Sequence, residues 1–266
     1  MTEKIKLYDE SRCIACRACQ VACKQWNGLK ALPAVHRGAY QNPPSLSPNN
    51  FMLIHFQDYE DNKDGKLKWL FRKEACMHCT DAACVMVCPS GALHYNKETK
   101  TVGVDHDKCI GCKACVAACP FEIPRYDAKT DKVYKCDMCE SRIMSNLEPA
   151  CVKACPTGAL KWGPKEDLLK YAAKRADKLG GDAATYGDKY VKGTHFMYVL
   201  KEKPAAYAGM HLDPSVPLSI IVWKDLLKPL SLLAAGGVIA GSFLHYIIHG
   251  PKTPDEDTEA QQKGEE

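Results

Sequence analysis

The pattern of apolar and polar positions predicts two β-hairpins in the first half of the chain. The strand-like runs 51–56 and 66–71 flank a turn rich in Asp, Asn and Gly, as the two strands of a hairpin do. The runs 92–95 and 101–104 are shorter and are separated by a polar turn. We therefore expect short hairpins in this half, joined by irregular loops.

A helix is predicted later in the chain, over residues 165–179, where leucine and alanine recur at helical spacing. Gly180 and Gly181 follow this run and are expected to end the helix. Residues 194–200 are mostly apolar and are predicted to form a strand.

The segment 229–248 is different because its twenty residues carry no formal charge at neutral pH. A helix of twenty residues spans about 30 Å, the thickness of a bilayer core. A buried helix of a soluble protein is the alternative, but few such helices are apolar on every face. Aromatic and basic residues flank the segment, as at membrane interfaces: Trp223, Lys224, Lys228, Tyr246, His249 and Lys252.

Gly237 and Gly241 form a GxxxG pattern within this segment, which permits close packing against a partner helix. The small residues could equally be incidental. His245 lies near the end of the span, and an ionisable residue there is a candidate for contact with a haem or quinone site in a partner. An interfacial hydrogen-bonding role is the alternative for His245.

Cysteine is the unusual component of the chain, with sixteen copies, all between Cys13 and Cys155. They form four groups: Cys13, Cys16, Cys19 and Cys23; Cys76, Cys79, Cys84 and Cys88; Cys109, Cys112, Cys115 and Cys119; and Cys136, Cys139, Cys151 and Cys155. The flanks repeat as well, since CPSGAL at 88–93 returns as CPTGAL at 155–160. Such repetition indicates a duplicated structural unit.

The first and third groups have the spacing C-x2-C-x2-C-x3-C, which is typical of bacterial ferredoxins that hold 4Fe–4S clusters. Three thiolates of one tight loop bind three irons of a cluster, and the fourth cysteine of the run binds the neighbouring cluster. The second and fourth groups are looser versions of the same run. Ile14 and Ile110 lie inside the first and third groups and are expected to shield clusters from water or to pack the loops.

Pairing the groups gives a complete set of ligands. The second and third groups are close in sequence and are expected to form one two-cluster unit, which leaves the first and fourth groups for another. Sixteen cysteines at four per cluster give four clusters. The expected ligand sets are Cys13, Cys16, Cys19 and Cys155 (set one); Cys136, Cys139, Cys151 and Cys23 (set two); Cys76, Cys79, Cys84 and Cys119 (set three); and Cys109, Cys112, Cys115 and Cys88 (set four).

Cysteines at this spacing also allow two other chemistries. The fourth group alone could form a zinc ribbon, because zinc also accepts four thiolates, but beside three ferredoxin-type runs this is disfavoured. Tight CxxC clusters chelate metal more naturally than they form a disulfide framework. The histidines at 55, 78, 94 and 106 are interpreted as surface or satisfied polar residues. No GxGxxG or Walker motif is present, so the clusters are predicted to carry electrons between partners.

The net charge and the N-terminal residues limit the expected partners and cellular location of the chain. The net charge of +4 is too small to indicate nucleic-acid binding. Residues 1–10 contain neither an apolar signal core nor a twin arginine. We expect either a cytoplasmic chain or one that is exported folded with a partner that has the signal.

The predicted fold class is α+β: two intertwined bacterial-ferredoxin-like two-cluster units with β-hairpin insertions, plus one C-terminal transmembrane helix. The expected divisions are residues 1–35 with 125–163 (first unit), 36–72 (inserted hairpin region), 73–124 (second unit), 164–225 (helix and strand extension), 226–250 (transmembrane helix) and 251–266 (acidic disordered tail).

Over nearly its whole length the sequence resembles the iron–sulfur β subunits of membrane-bound formate dehydrogenases. The cysteine runs alone are shared by many subunits of molybdopterin oxidoreductases. The more specific matches are CQVACKQWN at 19–27, EACMHC at 74–79, PACVKACPTGA at 149–159, GTHFMYVL at 193–200 and WKDLLKPL at 223–230.

This resemblance implies a catalytic α subunit with a molybdenum or tungsten pterin cofactor, which oxidises formate. The chain itself would be non-catalytic and would pass electrons to a membrane γ subunit with b-type haem, and thence to quinone. The resemblance also implies a single-pass inner-membrane protein with a periplasmic cluster domain and a cytoplasmic tail. The lysines that flank the helix weakly favour a cytoplasmic cluster domain instead. The alternative is the same role in another membrane oxidoreductase, a hydrogenase or another molybdopterin enzyme.

Overall fold

The computed structural model describes residues 3–33, 35, 38, 40–61 and 65–250. The chain divides into two compact units, one ending at Pro217 and one beginning at Leu218. The predicted disordered tail at 251–266 and the centre of the turn predicted at 61–65 lie outside the described residues.

The strands of the described residues are β1 (Lys4–Asp9), β2 (Leu53–Glu60), β3 (Leu67–Glu74), β4 (Leu93–Tyr95), β5 (Val102–Val104), β6 (Arg125–Asp127), β7 (Lys132–Tyr134), β8 (Leu160–Pro164), β9 (Ala184–Tyr186) and β10 (Phe196–Leu200). The helices are α1 (Ala18–Trp26), α2 (Ala83–Met86), α3 (Ala114–Ala118), α4 (Glu140–Met144), α5 (Ala150–Lys153), α6 (Lys165–Leu179), α7 (Leu218–Val222) and α8 (Lys228–His249). A π-helical turn, Trp223–Leu227, joins α7 to α8.

A four-stranded sheet in the order β8-β1-β10-β9 ties the N-terminus to the region after the last cysteine. Strand β1 runs parallel to β10 and antiparallel to β8. Helix α6 packs against this sheet, and the apolar core between them includes Leu7, Leu168 and Val199. Strand β1 was not expected from the sequence: residues 4–7 alternate polar and apolar as in a strand, but the run is short and lies in a charged N-terminal segment. This sheet brings the first cysteine group towards the fourth.

Both predicted hairpins are confirmed. Strands β2 and β3 pair in antiparallel register from Leu53 with Glu74 to Glu60 with Leu67, so the hairpin is longer than predicted. Strands β4 and β5 form the second hairpin. A third hairpin of β6 and β7 was not predicted, because each of its strands has only three residues.

Helix α6 occupies the predicted residues, and Gly180 ends it with a left-handed φ of 65°. The short helices α1 and α3 repeat each other in detail. Each begins after a residue in the left-handed region, Arg17 and Lys113, both with φ of 61°. The repeat seen in the sequence is therefore also a repeat of backbone conformation.

The second unit contains a helix long and apolar enough to cross a membrane. It runs over Leu218–His249, with 32 residues and a mean hydropathy of 1.7. The helix begins earlier than the uncharged segment suggested. The π-helical turn comes directly before Pro229, whose missing N–H cannot continue the ordinary hydrogen-bond ladder.

Candidate iron–sulfur cluster sites

The four thiols of set one line a single cavity. Cys13, Cys16 and Cys19 come from the loop before α1 and from its first turn, whereas Cys155 comes from the loop after α5. Ile54 and Leu160 complete the apolar part of the wall. The cavity is thus shared between the first and fourth cysteine groups, as the repeat predicts.

Each of the other three sets also combines three thiols of one cysteine group with the last cysteine of another group. These four thiols interact electrostatically with one another. In set two, Cys23 interacts with Cys136, Cys151 and Cys139. In set three, Cys79 interacts with Cys76, Cys119 and Cys84. In set four, Cys115 interacts with Cys112, Cys88 and Cys109.

The described side chains do not gather around a single metal ion. Among the described residues, no three His, Cys, Asp or Glu side chains converge closely enough to hold one metal ion. A zinc ribbon needs four sulfurs at about 2.3 Å from one ion. A 4Fe–4S cluster is larger than an ion and keeps its ligand sulfurs further apart. The described cysteines of the fourth group are thus not gathered around one ion position as those of a zinc ribbon would be.

Burial raises the pKa of most of the thiols. It is the largest influence on Cys19, Cys84 and Cys139, whose pKa values rise to about 12. An isolated buried thiolate is unfavourable, because the charged form loses its hydration. These cysteines are therefore suited to bind iron, which takes the thiolate form, rather than to act as free nucleophiles.

Cys88 and Cys155 behave differently, and the repeated CP(S/T)GAL segment explains why. Their thiols accept hydrogen bonds from the backbone N–H groups of Leu93 at 3.5 Å and Leu160 at 3.4 Å. Burial acts to raise the pKa of each thiol, but these N–H groups and a neighbouring hydroxyl lower it overall. Both sites thus stabilise a thiolate before any metal is bound.

Other cysteines also accept hydrogen bonds at sulfur. The backbone N–H of Ala15 donates to Cys13 at 3.3 Å, and that of Met138 donates to Cys136 at 3.3 Å. The side-chain amide of Asn27 lies 3.6 Å from the sulfur of Cys23. Hydrogen bonds of this kind adjust the reduction potential of a bound cluster.

The four sets follow one another in a row. Cys19 of set one interacts with Cys151 of set two. Cys136 of set two interacts with Cys76 of set three. Cys84 of set three in turn interacts with Cys115 of set four. The two ends of the row are sets one and four.

The ends of this row reach the protein surface. Cys16 and Cys112 are exposed, whereas Cys76, Cys136, Cys139 and Cys151 of the interior sets are buried. Ile14 is 62% exposed and Ile110 is 60% exposed. Both side chains are therefore mostly exposed, although Ile14 also lines the cavity of set one. That these isoleucines shield clusters or pack the loops stays a prediction.

Buried cations that were not expected from the sequence lie among the interior sets. Lys6 on β1 and Lys73 on β3 are fully buried, and neither ammonium nitrogen has a hydrogen-bond partner among the described residues. They lie 4.3 Å and 4.6 Å from the centre of the Phe196 ring. A third lysine, Lys135, is also buried and donates to the carbonyls of Val102 and Cys136.

Each of these lysines has its own charged neighbours, which shift its pKa. Burial acts to lower the pKa of Lys6, but Cys136, Cys151, Cys139 and Cys23 raise it overall. Burial also acts to lower the pKa of Lys135, but Cys76, Cys84 and Cys136 raise it overall. For Lys73, burial and repulsion by Lys6 lower the pKa. No pattern in the sequence singles out these three lysines among the 36 basic residues.

One histidine assignment is wrong. His78 is fully buried, and its Nε2 has no hydrogen-bond partner among the described residues, while its Nδ1 accepts the N–H of Val102 at 3.0 Å. The other three are satisfied as expected. His55 pairs with Glu74 at 2.5 Å, while His94 and His106 lie within hydrogen-bond distance of backbone carbonyls.

The candidate partner contacts on the membrane helix lie on its exposed surface. Among the described residues, nothing lies within 4 Å of the space that a side chain would occupy at Gly237 or Gly241. His245 is exposed, and its ring stacks on that of His249 with 4.3 Å between ring centres. Within the described part of its own unit, the helix thus leaves both glycines uncovered.

The cysteine sets and the membrane helix together define an iron–sulfur protein with a membrane anchor. Two family models described as "4Fe-4S dicluster domain" match residues 12–92 and 67–165. A third, described as "Formate dehydrogenase N, transmembrane", matches residues 216–259.

Known relatives give the family. A formate dehydrogenase iron–sulfur subunit of Haemophilus influenzae is 42% identical over 97% of this chain and 84% of its own length. A nitrate-inducible formate dehydrogenase iron–sulfur subunit of Escherichia coli K12 is 42% identical over 97% of this chain and 89% of its own. A hydrogenase-2 operon protein of Escherichia coli O157:H7 is 34% identical over 76% and 64%. The chain belongs to the family of formate dehydrogenase iron–sulfur subunits.

Proposed function

We propose that this chain carries electrons from a formate-oxidising catalytic subunit with a molybdenum or tungsten pterin cofactor to a membrane cytochrome b subunit, which passes them to quinone. The row of four cysteine sets is the observation that supports this role most strongly. The similarity to formate dehydrogenase subunits supplies the substrate of the complex.

The ligand sets proposed for the four 4Fe–4S clusters are sets one to four as defined above. When bound, such clusters accept and release single electrons at potentials that the protein adjusts. The chain holds the clusters in a row and donates hydrogen bonds to their sulfur ligands. In this proposal the first and fourth cysteine groups form one two-cluster unit, and the second and third groups form the other.

The chain is proposed to have no catalytic reaction of its own. Its cysteines are assigned to clusters, and the buried His78 and lysines lie among those cysteines rather than in a substrate cleft. Both ends of the row are open at the surface, next to Ile14 and Ile110. These exposed isoleucines suit two docking surfaces, one for the catalytic subunit and one for the cytochrome.

The membrane helix is proposed to cross the inner membrane once, with the cluster domain in the periplasm and the tail in the cytoplasm. Gly237, Gly241 and His245 are proposed to contact the cytochrome subunit. Protease treatment of intact spheroplasts tests the orientation. Cleavage of the cluster domain from outside is expected, and protection of that domain would place it in the cytoplasm.

Anaerobic purification of the membrane complex, followed by mass spectrometry, tests the choice of catalytic partner. The proposal expects a molybdopterin subunit that oxidises formate and a b-type cytochrome. A nickel–iron hydrogenase subunit in their place would contradict the formate assignment. The similarity to a hydrogenase-2 operon protein makes that outcome the specific alternative.

A further inference from the structure

Three buried lysines remain unexplained by the ligand sets. A buried ammonium without hydrogen bonds is costly and is rarely kept unless it is paired. Lys6 is fully buried and its nitrogen has no hydrogen-bond partner among the described residues. The ring of Phe196 at 4.3 Å offsets only part of this cost. The missing partner must be an anion that this polypeptide alone does not provide.

The surroundings of Lys6 identify that anion, because the Phe196 ring that it contacts belongs to the same buried cluster as Cys23, Cys136 and Cys151. The four cysteines that act on Lys6 are Cys136, Cys151, Cys139 and Cys23, and these are all four members of set two. Lys135 lies between sets two and three: Cys76 and Cys84 of set three and Cys136 of set two act on it, and its ammonium donates to the carbonyl of Cys136. A cluster with four thiolate ligands is negatively charged, and each added electron makes it more so. The interior clusters would therefore be the partners of these buried cations.

Burial explains why the interior sets need cations. Low-dielectric surroundings disfavour added negative charge, so an interior cluster without compensation would be harder to reduce than a cluster at the surface. The exposed cysteines of sets one and four, Cys16 and Cys112, place their clusters near water. The buried lysines lie beside the two sets that lack this solvation.

We propose that Lys6 and Lys135 raise the reduction potentials of the clusters in sets two and three, so that electrons do not meet a barrier in the middle of the row. This inference rests on the proposed function, because it requires clusters at those sets. Lys6 is the principal residue, since its nitrogen has no other partner within the described part of the chain. Both lysines are positioning residues that act through charge.

The test uses the complete complex, purified anaerobically, with redox titration followed by electron paramagnetic resonance. The main variant is Lys6→Met, which removes the charge and keeps most of the volume. The matched control is Lys4→Met, which makes the same change two residues away on β1, where the side chain is exposed. Lys135→Met applies the same test to set three.

In Lys6→Met, the equilibrium constant for reduction of one cluster is expected to fall at least tenfold, about 59 mV for one electron. The control is expected to keep all wild-type potentials. Unchanged potentials in a Lys6→Met complex with its full iron content would contradict the inference. A purely structural lysine would give that result, because its removal would change stability and not potential.

If Lys6→Met assembles no clusters, Lys6→Arg decides the question. Assembly with the arginine would show that a positive charge is required beside set two, which supports the inference. Loss of the clusters with arginine as well would mean that side-chain packing is responsible, which contradicts it. A wild-type chain without iron and sulfide would instead overturn the proposed function, so the two failures are distinct.

Discussion

At the residue scale, the first and third cysteine loops differ in one informative position. The loops read CIAC and CIGC, and their third residues, Ala15 and Gly111, both lie in the left-handed region with φ of 52° and 67°. An L-residue other than glycine pays about 1–2 kcal/mol for this conformation. Ala15 therefore carries strain that Gly111 avoids.

Exchanging these residues gives a matched pair of predictions. Ala15→Gly is expected to stabilise the folded protein by about 1 kcal/mol, because it relieves the left-handed alanine. Gly111→Ala is expected to destabilise it by more than that, since the new Cβ would lie 2.6 Å from the backbone oxygen of Asp131. Thermal unfolding of the anaerobic protein measures both. Equal effects at the two positions would argue against this account of the loops.

A ligand substitution tests the role of one cluster. Cys109→Ser is expected to lose or convert the set-four cluster and to stop electron flow from formate to quinone. Formate oxidation with artificial dyes should continue, because dyes take electrons before the interrupted step. Lys108→Ser is the control, since it introduces the same residue at the exposed neighbouring position. Loss of dye activity with the catalytic subunit still assembled would contradict the electron-carrier role.

At the scale of elements, periodicity predicted the parts with strong local signals. Helix α6 and the β2–β3 hairpin have long regular patterns or clear turn residues, and both are confirmed. Strand β1 has neither, and it exists because it pairs with β8 and β10 from the far end of the chain. Pairing over such a separation involves no adjacent turn, so the short alternation at residues 4–7 is the only local sign of this strand.

In the candidate site too, some residues could be predicted from the sequence and others could not. The cysteine spacing predicts the ligand sets, because each loop is local and the runs repeat. The buried lysines are not predictable, because Lys6 and Lys73 sit on strands whose burial depends on tertiary contacts. Lys6 reads as an ordinary polar residue in a charged N-terminal segment, yet the sheet places it in the interior.

The membrane helix gives a prediction at the level of one element. Replacing Gly237 and Gly241 with leucine is expected to weaken assembly with the cytochrome, because the larger side chains keep a partner helix at a distance. Co-purification of the cytochrome measures the effect, and Val238→Leu on the exposed surface is the control. Undiminished co-purification of the double variant would mean that the small residues are incidental.

At the scale of the whole molecule, the four-stranded sheet and the sharing of cysteines between groups both connect distant parts of the chain. Strands β1, β8 and β10 join the two ends of the cluster domain, and each cysteine group has its last member next to another group. The result is a row of four sets with exposed ends and a buried middle. This arrangement suits passage of electrons across the molecule better than chemistry at one point.

Metal analysis tests the central claim most directly. Iron, labile sulfide and zinc should be measured per chain in the anaerobically purified complex, after the metal content of the partner subunits is subtracted. Four clusters of four irons predict about sixteen irons and as many sulfides for this chain. Zinc without labile sulfide would contradict the account.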